Sequence, residues 1–500
     1  MSLRNRSSLL PLVLLALPAT ARADLALSKS GGALPGLTEL SVAGDAGSPY
    51  LILGALSEAT TVAPSGATLD VPLDLLSLSF TLPGFFGVLD GAGAASGFVD
   101  LPDLPTLAGI TLSFQAVSGP AFDEVSNLVR VTPQAPGTFA ETLGAPPLPV
   151  AGGAIAAQPD GRLQLVGGSG PLAQVYDPDL EEFELGGLTF GVGLLSQSTA
   201  LADGRVLFSG GLGLDGQPTS AAAVYDPADG STVELDMQLP RAGHAAALLG
   251  DGRVLITGGF AALDFTDILA LLSGVQASAE LFDPATMTFA DGPTMLEPRA
   301  LHTATPLADG GVLVAGGLTL IPLVGIPIVS ATAYEFGGGG FGLPKFFSGP
   351  RLAHSAVLLE DGRVLLCGGL SVDFGEFFTT LDPLELTVGT LDDCQVYTPG
   401  FFGGFSTEGG LSTGRAGAGM AALPGGGALI AGGFELVLDL GDLLASTASL
   451  HADADVFDGS DLAPTGELGA PRLLPLLQPL DDGTVLVVGG GPLEAEVYQP

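Results

Sequence analysis

The sequence predicts an all-β protein in which a seven-bladed β-propeller follows a small β-sandwich-like domain. Two observations lead to this fold class. A Gly-Gly pair recurs seven times between residues 167 and 490, and a turn dipeptide begins seven residues before each pair. Each pair is followed by a variable loop and then by a short apolar run that ends near an aromatic residue. Four short antiparallel strands repeated in this way are typical of propeller blades.

The turn dipeptides define the first hairpin of each blade. They are Asp160-Gly161, Asp203-Gly204, Asp251-Gly252, Asp309-Gly310, Asp361-Gly362, Gly425-Gly426 and Asp482-Gly483. Asp-Gly between two apolar runs is a strong hairpin signal, and we predict type I′ turns, in which both central residues take positive φ. Each copy therefore starts as strand, tight turn and strand, and the second strand ends at Gly-Gly.

A third and a fourth strand complete each copy. The third ends near an aromatic residue, namely Tyr176, Tyr225, Phe282, Tyr334, Tyr397, Phe457 and Tyr498 in the seven copies. The fourth is weaker and often holds a phenylalanine, as at Phe183, Phe289 and Phe341, with Val233 in the second copy. The copies follow one another at intervals of 43–64 residues, which fits one blade per copy.

The Gly-Gly pair, the following tyrosine and an Arg-x-x-His before the hairpin resemble the Kelch repeat family over residues 137–500. The resemblance implies a seven-bladed propeller. Kelch blades usually carry a tryptophan in the fourth strand, whereas this chain has none, and its phenylalanines fill that position.

The last copy has no fourth strand of its own, because the chain stops at Pro500 just after the third. Residues 137–149, GTFAETLGAPPLP, resemble the fourth-strand segment 286–298 of another copy. We therefore predict that residues 137–143 supply the outer strand of blade seven. This closes the ring and removes an open sheet edge.

The N-terminus resembles a secretory signal peptide over residues 1–23. Arg4 and Arg6 precede an apolar run that is too short to span a bilayer, and Ala21-Arg22-Ala23 fits a cleavage site before Asp24. We expect a secreted or periplasmic protein without a membrane span in its mature form; an uncleaved anchor is the alternative.

Residues 24–136 are short apolar runs broken by Pro and Gly, which favours a β-sandwich-like accessory domain.

The net charge of the chain restricts the kinds of partner that it can bind. There are 54 acidic against 15 basic residues, and this charge argues against nucleic acid or an anionic membrane surface as a partner. An exported chain meets an oxidising compartment, and Cys367 and Cys394 lie on neighbouring strands of blade five. We predict a disulfide between them; two buried free thiols are the alternative.

In most blades an arginine lies ten residues before the turn dipeptide. We call the residues from this position to the start of the first strand the lead segment. The arginine position holds Arg241, Arg299, Arg351, Arg415 and Arg472, and three of these are followed by His244, His302 and His354. Such a ring could bind a carboxylate or a sulfated sugar, because a guanidinium group matches these anions. The alternative is that each arginine hydrogen-bonds within its blade or to the next. Three histidines could also hold a metal, but Ala418 and Pro475 take that position in blades six and seven.

Long insertions join the second and third strands of blades three to six, on one face that we call the loop face. They span residues 260–276, 318–330, 370–391 and 434–453 and are unusually apolar. Long loops on one side of a rigid scaffold are where binding usually occurs. These insertions either form a contact patch or pack on one another and on the N-terminal domain.

No catalytic motif stands out, so we expect an exported, non-catalytic module without cofactor or metal. It would bind a protein or polysaccharide through the loop face of blades three to six. The alternative is a carbohydrate-active enzyme, either a galactose-oxidase-like copper oxidase or a lyase. Resemblance to the copper-radical oxidases implies two His and two Tyr ligands, one Tyr being cross-linked to Cys. Only Tyr50 lies outside the repeated third-strand position, so this ligand set looks incomplete.

Overall fold

The computed structural model describes residues 25–63, 65–73, 75–150, 154–158, 160–166, 172–188, 193–263, 274–320, 327–373, 387–400, 403–439, 441–442, 445–491 and 495–500. The predicted signal peptide, residues 1–23, lies outside this part of the chain. Contacts divide the chain into two compact units. One comprises residues up to Ser28, Leu40–Phe98 and Ser113–Val129, and the other comprises Lys29–Glu39, Val99–Leu112 and Arg130–Pro500. The domain boundary at residue 137 stays a prediction.

Short strands dominate the chain before residue 137. They are β1 (Ala26–Ser30), β2 (Gly36–Ala43), β3 (Pro49–Ala55), β4 (Thr61–Val62), β5 (Thr68–Leu69), β6 (Phe86–Val88), β7 (Ala94–Leu101), β8 (Leu112–Ser118) and β9 (Glu124–Val131), with helix α1 (Leu76–Ser79) and a 3-10 turn (Pro105–Leu107). The sheet orders are β1-β2-β7, β6-β3-β8-β9 and β4-β5. Burial alternates along β2, as expected where one face of a strand packs inward. None of the described helices is long and apolar enough to cross a membrane.

The remaining strands build seven antiparallel blades and the insertions within three of them. They are β10 (Thr138–Glu141), β11 (Ala154–Ala157), β12 (Leu163–Val166), β13 (Leu172–Asp177), β14 (Glu182–Leu188), β15 (Gln197–Ala200), β16 (Val206–Ser209), β17 (Ala221–Asp226), β18 (Ser231–Asp236), β19 (Ala245–Leu248), β20 (Val254–Thr257), β21 (Ala279–Asp283), β22 (Thr288–Asp291), β23 (Thr303–Pro306), β24 (Val312–Ala315), β25 (Leu318–Leu320), β26 (Pro327–Val329), β27 (Thr332–Gly337), β28 (Gly340–Phe341), β29 (Lys345–Phe346), β30 (Ser355–Leu358), β31 (Val364–Cys367), β32 (Leu370–Asp373), β33 (Thr387–Thr390), β34 (Asp393–Thr398), β35 (Gly404–Gly410), β36 (Gly419–Leu423), β37 (Gly427–Ala431), β38 (Phe434–Asp439), β39 (Thr447–Leu450), β40 (Ala454–Phe457), β41 (Leu462–Pro464), β42 (Leu476–Pro479), β43 (Val485–Val488) and β44 (Glu496–Gln499).

The blade sheets follow one another along the chain. Their orders are β11-β12-β13-β14, β15-β16-β17-β18, β19-β20-β21-β22, β23-β24-β27-β28 with β29 beside β27, β30-β31-β34-β35, β36-β37-β40-β41 and β42-β43-β44-β10. First strands of successive blades are neighbours, and β11 of blade one contacts β42 of blade seven. This all-β, seven-bladed architecture, preceded by a small sandwich-like set of sheets, confirms the predicted fold class.

The outer strand of blade seven comes from the segment before blade one. Thr138 pairs with Gln499 and Glu141 with Glu496, in antiparallel register. The ring of Phe139 stacks on Tyr498 with centroids 4.8 Å apart, as Phe183 stacks on Tyr176 within blade one. Strand β10 therefore covers the edge of β44 that would otherwise be open.

The apolar core lies between the blades. Leu207 and Val224 of blade two pack against Val254, Ile256 and Phe282 of blade three. Because second and third strands are buried on both faces, their sequences are runs such as VLIT and VLVV rather than alternating patterns.

The six Asp-Gly hairpin turns differ from the predicted type I′ geometry, whereas Gly425 and Gly426 both take positive φ as that prediction requires. In the Asp-Gly turns only the glycine takes positive φ, as for Gly204 at 87°. The Gly204 N–H donates to the Leu201 carbonyl, and the Leu201 N–H donates to the Arg205 carbonyl. This is a three-residue loop that ends in a left-handed glycine. The Asp203 carboxylate accepts from the Arg205 N–H and so fills the turn, which explains why aspartate precedes the glycine.

Candidate functional site

The five lead-segment arginines are fully buried inside their own blades. Their relative exposure is 0–1%, so they are among the most buried large side chains of the protein. Each donates through Nη1 to the carbonyl of the glycine 17 residues later: Arg241 to Gly258, Arg299 to Gly316, Arg351 to Gly368, Arg415 to Gly432 and Arg472 to Gly489. The arginine thereby fastens the lead segment to the Gly-Gly pair.

A carboxylate of the same blade neutralises each guanidinium. Arg241 pairs with Glu280 at 3.0 Å, and Arg472 pairs with Glu496 at 2.7 Å. The other pairs are Arg299 with Glu297, Arg351 with Asp393, and Arg415 with Asp453 and Asp455. Burial lowers the pKa of Arg241, and the Glu280 charge opposes that shift. The geometry supports the structural alternative, because it leaves these five groups no face open to a dissolved anion.

Sequence reasoning missed these acidic partners, although a signal was present. Glu280, Asp455 and Glu496 occupy the second position of the motif that ends at the third-strand aromatic. Blade two lacks the arginine, having Gly193 there, and it has Ala223 at the acidic position. Blades four and five keep the arginine with Thr332 and Gln395 at that position, and Glu297 and Asp393 supply the carboxylate there instead. A buried charge is stable only with a partner, but the partner does not always come from the same position of the repeat.

The Gly-Gly pairs link each blade to the next. The Gly259 N–H donates to the Arg299 carbonyl at 2.7 Å, and a Cβ on Gly258 would lie 2.2 Å from that same oxygen. Both glycines take positive φ, so a larger residue would meet a clash and backbone strain. The same bond recurs in each Gly-Gly pair from blade two to blade seven, and in the last of them Gly490 donates to the Val150 carbonyl of blade one. Among the described residues, alternating arginine and glycine contacts thus form a hydrogen-bonded path from blade two through blade seven to blade one.

The three histidines bridge neighbouring blades. Each is at most 6% exposed. The distance from Nε2 to a hydroxyl oxygen of the preceding blade is 2.9 Å for His244 to Ser209, 2.8 Å for His302 to Thr257 and 3.0 Å for His354 to Thr303. Burial, and then the nearby Arg241 charge, lowers the pKa of His244 to about 3. These histidines are therefore uncharged at neutral pH and join blades.

A second series of backbone bonds joins the lead segments from blade two to blade seven. The N–H of Gly243 donates to the Leu195 carbonyl, and the same step recurs through Leu301, Ala353, Gly417 and Leu474 at 2.8–3.2 Å. All six residues take positive φ, between 50° and 64°. A left-handed leucine or alanine costs on the order of 1 kcal/mol more than glycine, so the surrounding packing must hold four of these positions.

The predicted disulfide is present in blade five. Cys367 ends the second strand and Cys394 lies directly opposite it in the third, with Cα atoms 4.2 Å apart. Both residues are buried. The bond closes off the insertion that leaves blade five at Leu370 and returns at Leu391.

The insertions of blades five and six pair with each other on the loop face. Strands β32 and β33 come from blade five, β38 and β39 come from blade six, and together they form one sheet in the order β32-β33-β38-β39, which we call the insertion sheet. The register puts Val388 opposite Leu438 and Gly389 opposite Val437. All four residues of β39 are exposed, including Leu450 at 50%. The loops therefore build a sheet of their own and leave one edge of it accessible.

The charges of the chain are distributed unevenly. All twelve basic residues after residue 23 form ion pairs with carboxylates. The blade-five and blade-six insertions contain eight carboxylates and no lysine or arginine. The sequences of these two insertions are consequently acidic.

The residues present do not fit the copper-radical centre that the enzymatic alternative implies. Both cysteines are joined in the disulfide, so neither can cross-link to a tyrosine. Tyr50 donates to the Gly84 carbonyl, and the other five tyrosines lie buried in third strands. Among the described residues no group of three or more His, Cys, Asp or Glu side chains is arranged to hold a metal.

Of the comparisons with known proteins, the one with solved structures found matches. No protein-family model matches the chain, and no curated protein matches it. A structure described as that of YjhT aligns with 64% of this chain and 99% of its own, at 16% identity and a TM-score of 0.48. A fungal alcohol oxidase of the AA5 family, in complex with copper, aligns with 72% of this chain and 75% of its own, at 16% identity and a TM-score of 0.51. At this identity the likeness to the oxidase shows the fold alone: the chain has a fold related to the Kelch-type β-propeller.

Proposed function

We propose that this chain is an exported, non-catalytic propeller that binds a protein or polysaccharide partner through the loop face of blades three to six. The single observation that carries the proposal is the insertion sheet. It is built only from residues added to the blade repeat, so ring closure does not need it. An elaboration of this size on one face of a rigid scaffold is typical of a binding surface.

The open edge of the insertion sheet favours a protein over a polysaccharide. Among the described residues β39 pairs only with β38, so one row of its N–H and C=O groups has no strand beside it. Its sequence, TASL, contains no charge and no proline, which are the usual devices that protect an edge. An extended segment of another protein could add a strand there, with main-chain bonds giving affinity.

The charges near this edge restrict the class of partner further. Glu435 and Asp439 lie on β38 beside this edge, and every basic side chain after residue 23 already has an acidic partner. A second copy of this acidic chain would be repelled at low salt, whereas a basic extended segment would be attracted. We infer that binding weakens as the salt concentration rises.

Export from the cytoplasm is part of the same proposal. A buried disulfide forms and persists in an oxidising compartment, which supports a secreted or periplasmic site of action. Intact-mass analysis of the exported protein tests this. A chain that starts at Asp24 and carries the disulfide is expected, and a chain that retains residues 1–23 would contradict it.

The partner can be sought without knowing its identity. A photoreactive residue replaces Thr447 on β39 in the full exported chain, and the protein is irradiated in the medium of its native host. We expect adducts that release peptides foreign to this chain on proteolysis and that excess unlabelled chain suppresses. Adducts whose added mass a glycosidase removes would indicate a polysaccharide instead.

The matched control carries the same photoreactive residue at Val233. This residue is 48% exposed on β18, the outer strand of blade two, so it reports random encounter with another exposed strand. Thr447→Lys in the competing chain should abolish competition, because lysine protects a strand edge. Equal labelling at both positions, or competition that survives Thr447→Lys, would refute the proposed site.

A further inference from the structure

An open cavity of about 380 Å³ lies between the lead segments and first strands of blades one, two, six and seven. The repeat explains its position. Where blades three to five place a bulky histidine, blade two has Ser196, blade six has Ala418 and blade seven has Pro475, and all three line the cavity. The cavity thus lies where the repeat has a smaller side chain than histidine.

The chemistry of the lining is uncharged in a strongly acidic protein. Ile155, Leu195, Leu474 and Leu476 supply apolar walls. Ser196, Gln197 and Ser198 lie together on the blade-two side and supply hydroxyl and amide groups. No Asp, Glu, Lys, Arg or His lies among the described lining residues. Apolar walls with a few convergent polar groups are characteristic of small-molecule sites, and the volume falls within their usual range.

Two of the wall residues keep a strained backbone. Leu195 and Leu474 take φ of 64° and 53°, at the position where blades three and six use Gly243 and Gly417. Leu301 has the same conformation in blade four, but there it packs on the apolar cluster beneath the insertion of blade three. Strained residues held in place by their surroundings are common at ligand sites. Here the strain coincides with leucines whose side chains form the cavity wall.

We propose that this cavity binds a small uncharged amphiphile, with an apolar body against the leucines and a hydroxyl or amide group toward Ser196, Gln197 and Ser198. At the volume of liquid water per molecule, about 30 Å³, the space accommodates about a dozen non-hydrogen atoms. An ion is disfavoured, because it would lose its hydration with no opposite charge among the lining residues to replace it. This site does not depend on the proposed function, since it shares no residue with the insertion sheet.

The test uses the full exported chain and 2-naphthol, an uncharged amphiphile of about this size, measured by calorimetry and ligand-observed NMR. We expect saturable binding, with the anion 2-naphthoate at least tenfold weaker. Equal binding of the two, or no binding of 2-naphthol up to its solubility, would overturn the proposal.

Variants locate the binding. Ala418→Phe fills the cavity and should abolish binding. Leu195→Gly removes a wall and relieves the strained φ, so it should weaken binding at least fivefold without loss of thermal stability. Ala353→Gly is the matched control, because it relieves the same backbone conformation away from the cavity and should leave binding unchanged. Undiminished binding in both Ala418→Phe and Leu195→Gly would place the ligand elsewhere and refute the inference.

Discussion

Replacing one buried arginine tests whether the arginine and its acid act as a unit. Arg241→Met removes the charge that faces Glu280, and the two side chains are 0% and 1% exposed. Breaking a buried pair from one side costs about 3–5 kcal/mol, because the remaining charge has lost its partner. Glu280 still accepts from the N–H groups of Gln238 and Leu239, which favours the lower half of that range. We therefore expect a loss of about 3–4 kcal/mol.

The loss converts into a shift of the unfolding temperature. At about 2.1 cal/mol/K per residue, a cooperative unit of roughly 360 residues has an unfolding entropy of about 0.8 kcal/mol/K. Arg241→Met should then lower Tm by about 4–5 °C in differential scanning calorimetry. Arg253→Met is the matched control, because Arg253 pairs with Asp251 on an exposed turn and such pairs contribute about 0–1 kcal/mol.

Blade one shows how the loss should be repaired. It has Val150 at the arginine position and Gln174 at the acidic position, and Gln174 bonds both the N–H and the carbonyl of Leu148. The double variant Arg241→Met with Glu280→Gln copies that arrangement and should recover most of the lost stability. If Arg241→Met costs no more than Arg253→Met, or if the double variant is as unstable as the single one, the buried pair does not have the role assigned to it.

Two further predictions concern the disulfide and pH. The Cys367→Ala, Cys394→Ala double variant should lose about 3.5 kcal/mol from loop-closure entropy over a separation of 27 residues, and an unchanged guanidinium midpoint would contradict this. The folded pKa of His244, about 3, lies below its unfolded value of about 6.5, so its contribution to stability is complete above pH 6.5 and is lost as pH falls toward 3. Between pH 6.5 and pH 5 this amounts to about 1.6 kcal/mol, seen as a fall in the guanidinium midpoint. His244→Ala should make that fall smaller, and an identical pH dependence in the variant would refute the assignment.

Much of the fold could be predicted because the repeat reflects requirements of individual backbone positions. A left-handed glycine in every turn and a Gly-Gly pair at every junction are demands of single backbone positions, so they recur at fixed spacing. The outer strand of blade seven was predictable for the same reason, since residues 137–149 repeat a fourth-strand pattern. The turn type was not predictable from the dipeptide, because the number of residues in the loop decides between a type I′ turn and a glycine bulge.

The candidate site was less predictable. Arg241 and Glu280 are 39 residues apart, and only the blade brings them together. Whether a recurring arginine faces solvent or its own blade depends on that contact and not on its spacing. The insertion sheet was also beyond sequence reasoning, because β33 and β38 belong to different blades and neither strand indicates the other.

The sequence by itself determined the number of blades, the position of the disulfide and the faces on which turns and insertions lie. Each of these follows from residues close together in the chain or from a pattern repeated along it. The tertiary structure alone decided that the arginines are neutralised, that two insertions share a sheet and that a cavity remains where the histidines are missing. These features depend on side chains from distant segments competing for the same space and the same hydrogen-bond partners, which a linear pattern does not record.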